Sequence, residues 1–154
     1  MSALSHSFDD DTDSNSSTRR VRRRPGENRE RLLQAGITVF SDRGFHGAST
    51  ASIAALAGVP QPHVYANFET KQELFLECAR KVTTEIVQRS SDGLPQAMPT
   101  AEHAAFLLQI LAAFQEELLQ PDLRDLILEL TDAVSSDTVL ALILQHISST
   151  LSST

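Results

Sequence analysis

The chain predicts an all-α protein, and three observations carry that expectation. Ala and Leu are abundant, aromatics make up only 5% and Trp is absent, a composition that favours helix. Apolar residues recur at three- and four-residue spacing in one segment after another, and no stretch shows the alternation of a half-buried strand. Helix punctuation bounds these runs, at Gly44, Gly58, Thr70 and Pro121. With 154 residues and 41% hydrophobic content, the chain can bury a real core as one large domain or two small ones. The expected architecture is an N-terminal three-helix unit over 25–72 and a short C-terminal helical bundle over 73–154. A tail over 1–24 precedes both.

In chain order, residues 1–18 hold four Asp and no Lys or Arg. With so little apolar content this segment is expected to be disordered. Residues 19–24 contain five Arg, either an arm that follows phosphates or a solvated linker. The first helix is expected over 28–43, with Leu32, Leu33, Gly36, Ile37 and Phe40 on one face. Gly36 inside it costs about 1 kcal/mol relative to Ala, which a close helix crossing would explain. Gly44 should stop the helix as a left-handed cap, and Phe45 should tuck into the core. Ser49 or Thr50 can cap the next helix, which carries Ile53, Ala54, Leu56 and Ala57.

Gly58 ends that second helix and Val59 adds one more apolar anchor. A short third run follows over 61–67, with Val64 and Phe68 four apart. Two short helices joined by a Gly-containing turn make a helix-turn-helix. The outward positions of the third helix, Gln61, His63, Ala66 and Asn67, are short or polar, so it could lie in a major groove and reach base edges. Thr70-Lys71-Gln72-Glu73 is a capping box that opens a fourth helix to about residue 89, with Leu74, Phe75, Cys78, Val82 and Ile86 inward. Lys71 then sits in a first turn, where a cation is disfavoured by the helix dipole unless an anion compensates.

The stretch IAALAGVPQPHVYANFETKQELF closely resembles the DNA-binding domain of the TetR family of bacterial repressors. The matching features are Ile53-Ala54, Ala57-Gly58-Val59, Tyr65, Phe68, Lys71 and Leu74, with Arg43-Gly44-Phe45 upstream. The resemblance covers about residues 28–80, roughly a third of the chain. It implies base-facing roles for Gln61, Pro62, His63 and Asn67, and phosphate contacts for Thr50, Tyr65 and Lys71. Two departures stand out: Pro60 replaces the usual small hydroxyl cap, and Asn67 stands where the family often has His. The implied activity is that of a ligand-responsive repressor binding a palindromic operator on double-stranded DNA as a homodimer. The competing reading is a shortened relative that acts as a protein-interaction module without gripping an operator, because the family usually carries further C-terminal helices.

Charge distribution supports the DNA reading. The net charge is −7, which by itself disfavours nucleic acid. Residues 19–89, however, hold twelve Lys/Arg against seven Asp/Glu, a local +5. Residues 90–154 hold one Arg against nine acids, a local −8. Such polarity would orient the molecule on a duplex.

The C-terminal part offers loop signals over 90–99 and helices over 102–119, from Pro121 onward, and over about 138–150. Leu123, Leu126, Ile127, Leu130 and Val134 mark one face of the middle helix. His103, Phe106 and Phe114, with His146, could line a pocket for a small-molecule effector, although core packing is the better default for the aromatics. From residue 138 to the end there is no Lys, Arg, Asp or Glu. Leu140, Ile143, Leu144 and Ile147 spread over more than one face, which suits a homodimer interface.

Nothing calls for catalysis. The histidines and Cys78 lack metal-ligand spacing, and there is no Gly-rich phosphate loop or nucleophile elbow. No cofactor, metal or membrane partner is expected. The longest apolar run is too short to span a bilayer, and a single unpaired Cys with no signal peptide fits the cytoplasm.

Overall fold

The computed structural model describes residues 26–91 and 100–152. The acidic tail, the arginine-rich arm and the 92–99 loop lie outside the described residues, as does the side chain of His146. Among the described residues the chain forms seven helices and no strand. They are α1 Glu27–Gly47, α2 Thr50–Ala57, α3 Pro62–Tyr65, α4 Lys71–Ser91, α5 Ala101–Ala113, α6 Gln120–Ala133 and α7 Ser136–Ser152.

The N-terminal helices follow local chemistry closely. α1 buries the face its periodicity marks, Leu32, Leu33, Gly36, Ile37 and Phe40. At Gly44 the backbone leaves the helix with φ +69° and ψ 177°, a conformation that costs glycine little and a Cβ-bearing residue much more. Phe45 then folds back and lies buried. Ser49 caps α2: its side chain accepts from Ser52 N, and the Ser52 hydroxyl returns the bond to the cap backbone. Gly58 closes α2 in the left-handed region, φ +63° and ψ 37°. The Thr70 hydroxyl accepts from Glu73 N at 3.0 Å, opening α4 where the capping box predicts.

Gly36 has the reason its sequence position asks for. A Cβ there would stand 2.7 Å from Cys78 Sγ on α4, so only glycine lets α1 and α4 cross this closely. The Cys78 thiol is buried and donates to the Leu33 carbonyl at 3.5 Å, and burial raises its pKa. Beside this crossing, Phe40, Phe45, Phe75 and Phe106 join α1, α4 and α5. Phe40 meets Phe75 edge-on at 5.0 Å, and Phe75 stacks on Phe106 at 5.4 Å. Such pairs add about 0.5–1.5 kcal/mol each beyond the area they bury. The buried residues form one cluster from Leu32 to Val134, so the two parts expected on either side of residue 72 share a core.

Two chains of charge cross α4 and tie the N-terminal helices to the rest. In one, Arg29 of α1 pairs with Glu77, Glu77 with Arg80 at 3.0 Å, and Arg80 with Asp122 of α6 at 3.1 Å. In the other, Glu30 of α1 pairs with Lys81 at 2.9 Å, Lys81 with Glu85 at 2.8 Å, and Glu85 with His103 of α5 at 2.9 Å. The Arg29 and Arg80 guanidiniums hold the Glu77 carboxyl below its usual range, against a smaller opposing effect of burial. Burial pushes Glu85 up, but its bonds from Lys81 and His103 outweigh that and leave it lowered. The carboxylates of Glu85 and Glu30 raise Lys81.

The C-terminal half departs from the sequence expectation at one joint. A single helix over 102–119 is expected, but α5 stops at Ala113 and the chain turns before α6. The turn swaps neighbours: Leu119 becomes fully buried while Leu118 is 78% exposed. Glu116 in this turn bonds His46 of the α1 end at 2.6 Å. Those partners are 70 residues apart, so local periodicity has no access to them. Pro121 stands in the first turn of α6, where its missing N–H costs nothing. α7 packs on α5.

Candidate nucleic-acid interface

α2, α3 and the start of α4 build one polar corner. Val64 and Phe68, both 1% exposed, anchor the α3 segment in the core. Around those anchors Gln61, Pro62, His63 and Tyr65 are exposed and Asn67 is half-buried. α3 itself is short. It has Pro62 in its first turn and no side-chain cap, as the Pro60 substitution leads one to expect. Its turns are closed by backbone bonds from His63 N to Pro60 O and from Val64 N to Gln61 O, both 2.9 Å.

The seven residues singled out for DNA lie on this one corner, but they are not all free. Thr50, at the start of α2, shares a 3.0 Å hydrogen bond with the Tyr65 hydroxyl. The Gln61 amide donates to the same Thr50 oxygen at 3.2 Å. Gln61 is thus turned along the surface toward α2 instead of straight outward. Asn67 donates from its side chain to the His63 carbonyl at 2.7 Å and so closes the end of α3. His63 also meets Asn28 of α1, with Asn28 Nδ2 3.5 Å from His63 Nδ1. Asn28 was not singled out from the sequence. No local signal links two residues 35 apart.

Lys71 resolves differently from the sequence expectation of a compensating anion. Its ammonium donates to the Phe45 carbonyl at 2.8 Å and the Ala48 carbonyl at 3.2 Å. It also lies 4.6 Å from the Phe45 ring centroid. The lysine therefore caps the broken end of α1, where oxygen lone pairs point, and this offsets its poor position on its own helix. An ammonium carries three donors, so one remains beyond these two carbonyls.

The residues considered for an effector are not gathered round one cavity. His103 is buried at the α5 start, where it accepts from Thr100 N at 3.1 Å and meets Glu85. Phe106 is fully buried in the aromatic core. Phe114 alone borders an open cleft of about 520 Å³, with Gln120, Pro121, Arg124 and Asp125. On α7, Leu140, Leu144 and Ile147 are 55%, 53% and 40% exposed, and Ile143 is half-buried. Among the described residues no group of His, Cys, Asp and Glu is placed to hold a metal, and no helix is long and apolar enough to cross a membrane.

A capped short helix, a glycine turn and a second helix with a polar outer face, seated on a longer helix, define a helix-turn-helix protein. Residues 32–78 match the family model described as bacterial regulatory proteins, tetR family, and this segment belongs to that family. The transcriptional activator FasR of Mycolicibacterium smegmatis is 39% identical over 74 residues, 48% of this chain and 32% of that protein. The uncharacterized HTH-type transcriptional regulator YdgC of Bacillus subtilis is 45% identical over 51 residues, 33% of this chain and 26% of that protein. The chain therefore spans about a third or less of the length of these curated relatives. In fold it resembles the transcriptional regulator FadR of Bacillus subtilis, whose crystal structure contains stearoyl-CoA. That likeness has a TM-score of 0.51 at 16% identity and covers 76% of this chain and 71% of the other.

Proposed function

We propose that the protein is a DNA-binding transcriptional regulator, a repressor that grips a near-palindromic operator as a homodimer through the 61–67 segment. The observation that carries this reading is the corner where Pro62, His63 and Tyr65 are exposed and Asn67 half-buried, seated over the buried Thr50, Val64 and Phe68. Pro62, His63 and Asn67 face base edges in this reading, and Thr50, Tyr65 and Lys71 take phosphates. The local +5 of residues 19–89 supports it, since a duplex is read first as a line of phosphates.

Pairing is assigned to α7. Leu140, Leu144, Ile147 and Leu151 are 40–74% exposed on a helix without charge after Asp137. A second copy would cover them around a two-fold axis and set two reading heads for successive major grooves, about 34 Å apart. Ile143 would contribute from the edge of that face. An effector would enter beside Phe114, in the cleft that also holds Arg124, the sole Lys or Arg of residues 90–154. The test is gel-shift titration with genomic fragments beside sedimentation of the free chain. A dimer that retards a discrete fragment at nanomolar to micromolar concentration is the expected result. A chain that retards no fragment would favour the protein-interaction module.

A further inference from the structure

We propose that residues 19–24 are a second DNA contact: their arginines enter the minor groove beside the half-site read by α3 and favour A·T-rich flanks there. The inference rests on the DNA-binding reading above and deepens it. Residues 19–24 hold five Arg and no Lys, Asp or Glu, a composition that suits a DNA arm and a solvated linker alike. What favours the arm is where the next helix begins. Asn28 Nδ2, in the first turn of α1, lies 3.5 Å from His63 Nδ1 on α3. One residue on, the Arg29 guanidinium carbon lies 5.1 Å from the centroid of the Phe68 ring, the ring that anchors the α3 segment. Glu77 of α4 pairs with Arg29 and holds it there. The start of α1 is thus fastened to the reading segment at two points. At Gly26 the backbone has φ +87° and a Cβ would meet nothing within 4 Å, so α1 is entered from open surface at this edge.

Chain length then decides which groove is within reach. Arg24 precedes Asn28 by four positions and Arg19 by nine. At about 3.3–3.6 Å per residue, the arginines can extend roughly 13–32 Å from the His63 contact. With α3 in a major groove, the neighbouring minor groove is centred half a helical turn away, about 17 Å along the duplex, inside that range. A minor groove about 6 Å wide shuts out a helix but admits a guanidinium. A·T-rich minor grooves are narrow, concentrate negative potential and lack the guanine amino group. A guanidinium is more weakly hydrated than an ammonium and is favoured in such a slot. Contacts to phosphates alone would carry no preference for the flanking sequence.

The test uses the full chain and duplexes that share one centre, selected by the wild type from a random library. Their flanks are all A·T, all G·C, or all inosine·cytosine. An inosine·cytosine pair shows a protein the minor groove of A·T and the major groove of G·C. The wild type is expected to bind the A·T and inosine·cytosine flanks alike and the G·C flanks about five- to tenfold more weakly. Changing Arg19, Arg20, Arg22, Arg23 and Arg24 together to Ser should erase that difference and lower the salt slope by about three to five. Changing the same five to Lys keeps the charge, so the salt slope should stay while the flank preference falls to about twofold or less. The melting temperature of both variants should match the wild type, because these residues precede the packed helices. Wild-type binding that ignores the flanks, a preference that follows the major groove of the flanks, or a preference that survives in the Ser or Lys variant would overturn the inference and leave the DNA-binding reading standing. A Ser variant with an unaltered salt slope would overturn it as well. A wild type that selects no sequence and binds no duplex would overturn the DNA-binding reading, and this inference with it.

Discussion

The recognition corner and the last helix treat their surfaces in opposite ways. At the corner, Thr50, Gln61, Tyr65, Asn67 and Lys71 all have hydrogen-bond partners inside the chain. On α7, Leu140, Leu144, Ile147 and Leu151 stand open with no charge among them. A surface of satisfied polar groups is stable in water and can exchange water for phosphate at little cost. A surface of bare apolar groups is stable only when another apolar surface covers it. The lesson is that the corner is finished by the chain itself and α7 is not, which is why a reading head is assigned to one and a partner copy to the other.

The largest effect should come from breaking the frame between the two regions. Gly36→Val would drive its branched side chain into Cys78 at the α1–α4 crossing. A loss of about 2–3 kcal/mol and a melting temperature lower by roughly 5–10 °C are expected. If stability is unchanged, the crossing is not as close as described. Next, Leu144→Asp should separate the regions cleanly. Because Leu144 is 53% exposed, the single chain should melt almost as before, while sedimentation should show dimer association weakened by about thirtyfold or more. A dimer of unaltered strength would place the interface elsewhere.

Lys71→Ala tests whether the corner is finished by the chain. It removes the cap on the Phe45 and Ala48 carbonyls, so a stability loss of about 1–2 kcal/mol is expected even without DNA. Binding to all duplexes should weaken alike, with the salt slope lower by about one. Normal stability with changed sequence preference would contradict both roles. The smallest effect is acid sensitivity of the charge chains across α4. Glu77 and Glu85 are lowered in the folded protein, so their stabilisation is complete above the ordinary carboxylate range. It should fade as pH falls below the ordinary carboxylate range and through the lower folded values. Replacing Glu77 by Gln should remove part of that acid dependence in thermal melts, and an unchanged pH profile would exclude its part in it.

What the sequence by itself determined about this protein is what short-range chemistry controls. Gly44 and Gly58 break helices because positive φ is cheap for glycine, Ser49 and Thr70 cap helices because their oxygens reach an N–H three residues on, and apolar spacing names the buried faces. The candidate corner was legible for the same reason: its residues lie within 50–71, on the start of α2, on α3 with its flanks, and on the start of α4. What only the tertiary structure decided are the pairings between distant residues. Lys71 reaches back 26 and 23 positions to two carbonyls, where the sequence suggested only that some anion was needed. Gly36 is explained by a sulfur 42 residues away on another helix. α5 ends at Ala113 because the following turn buries Leu119 and meets His46, although the apolar period runs on unbroken. Gln61 looked outward by helical spacing, yet a hydroxyl on the preceding helix turns its amide aside. Periodicity fixes which way a residue points from its own helix axis, but which atom satisfies it depends on which other helix is packed there.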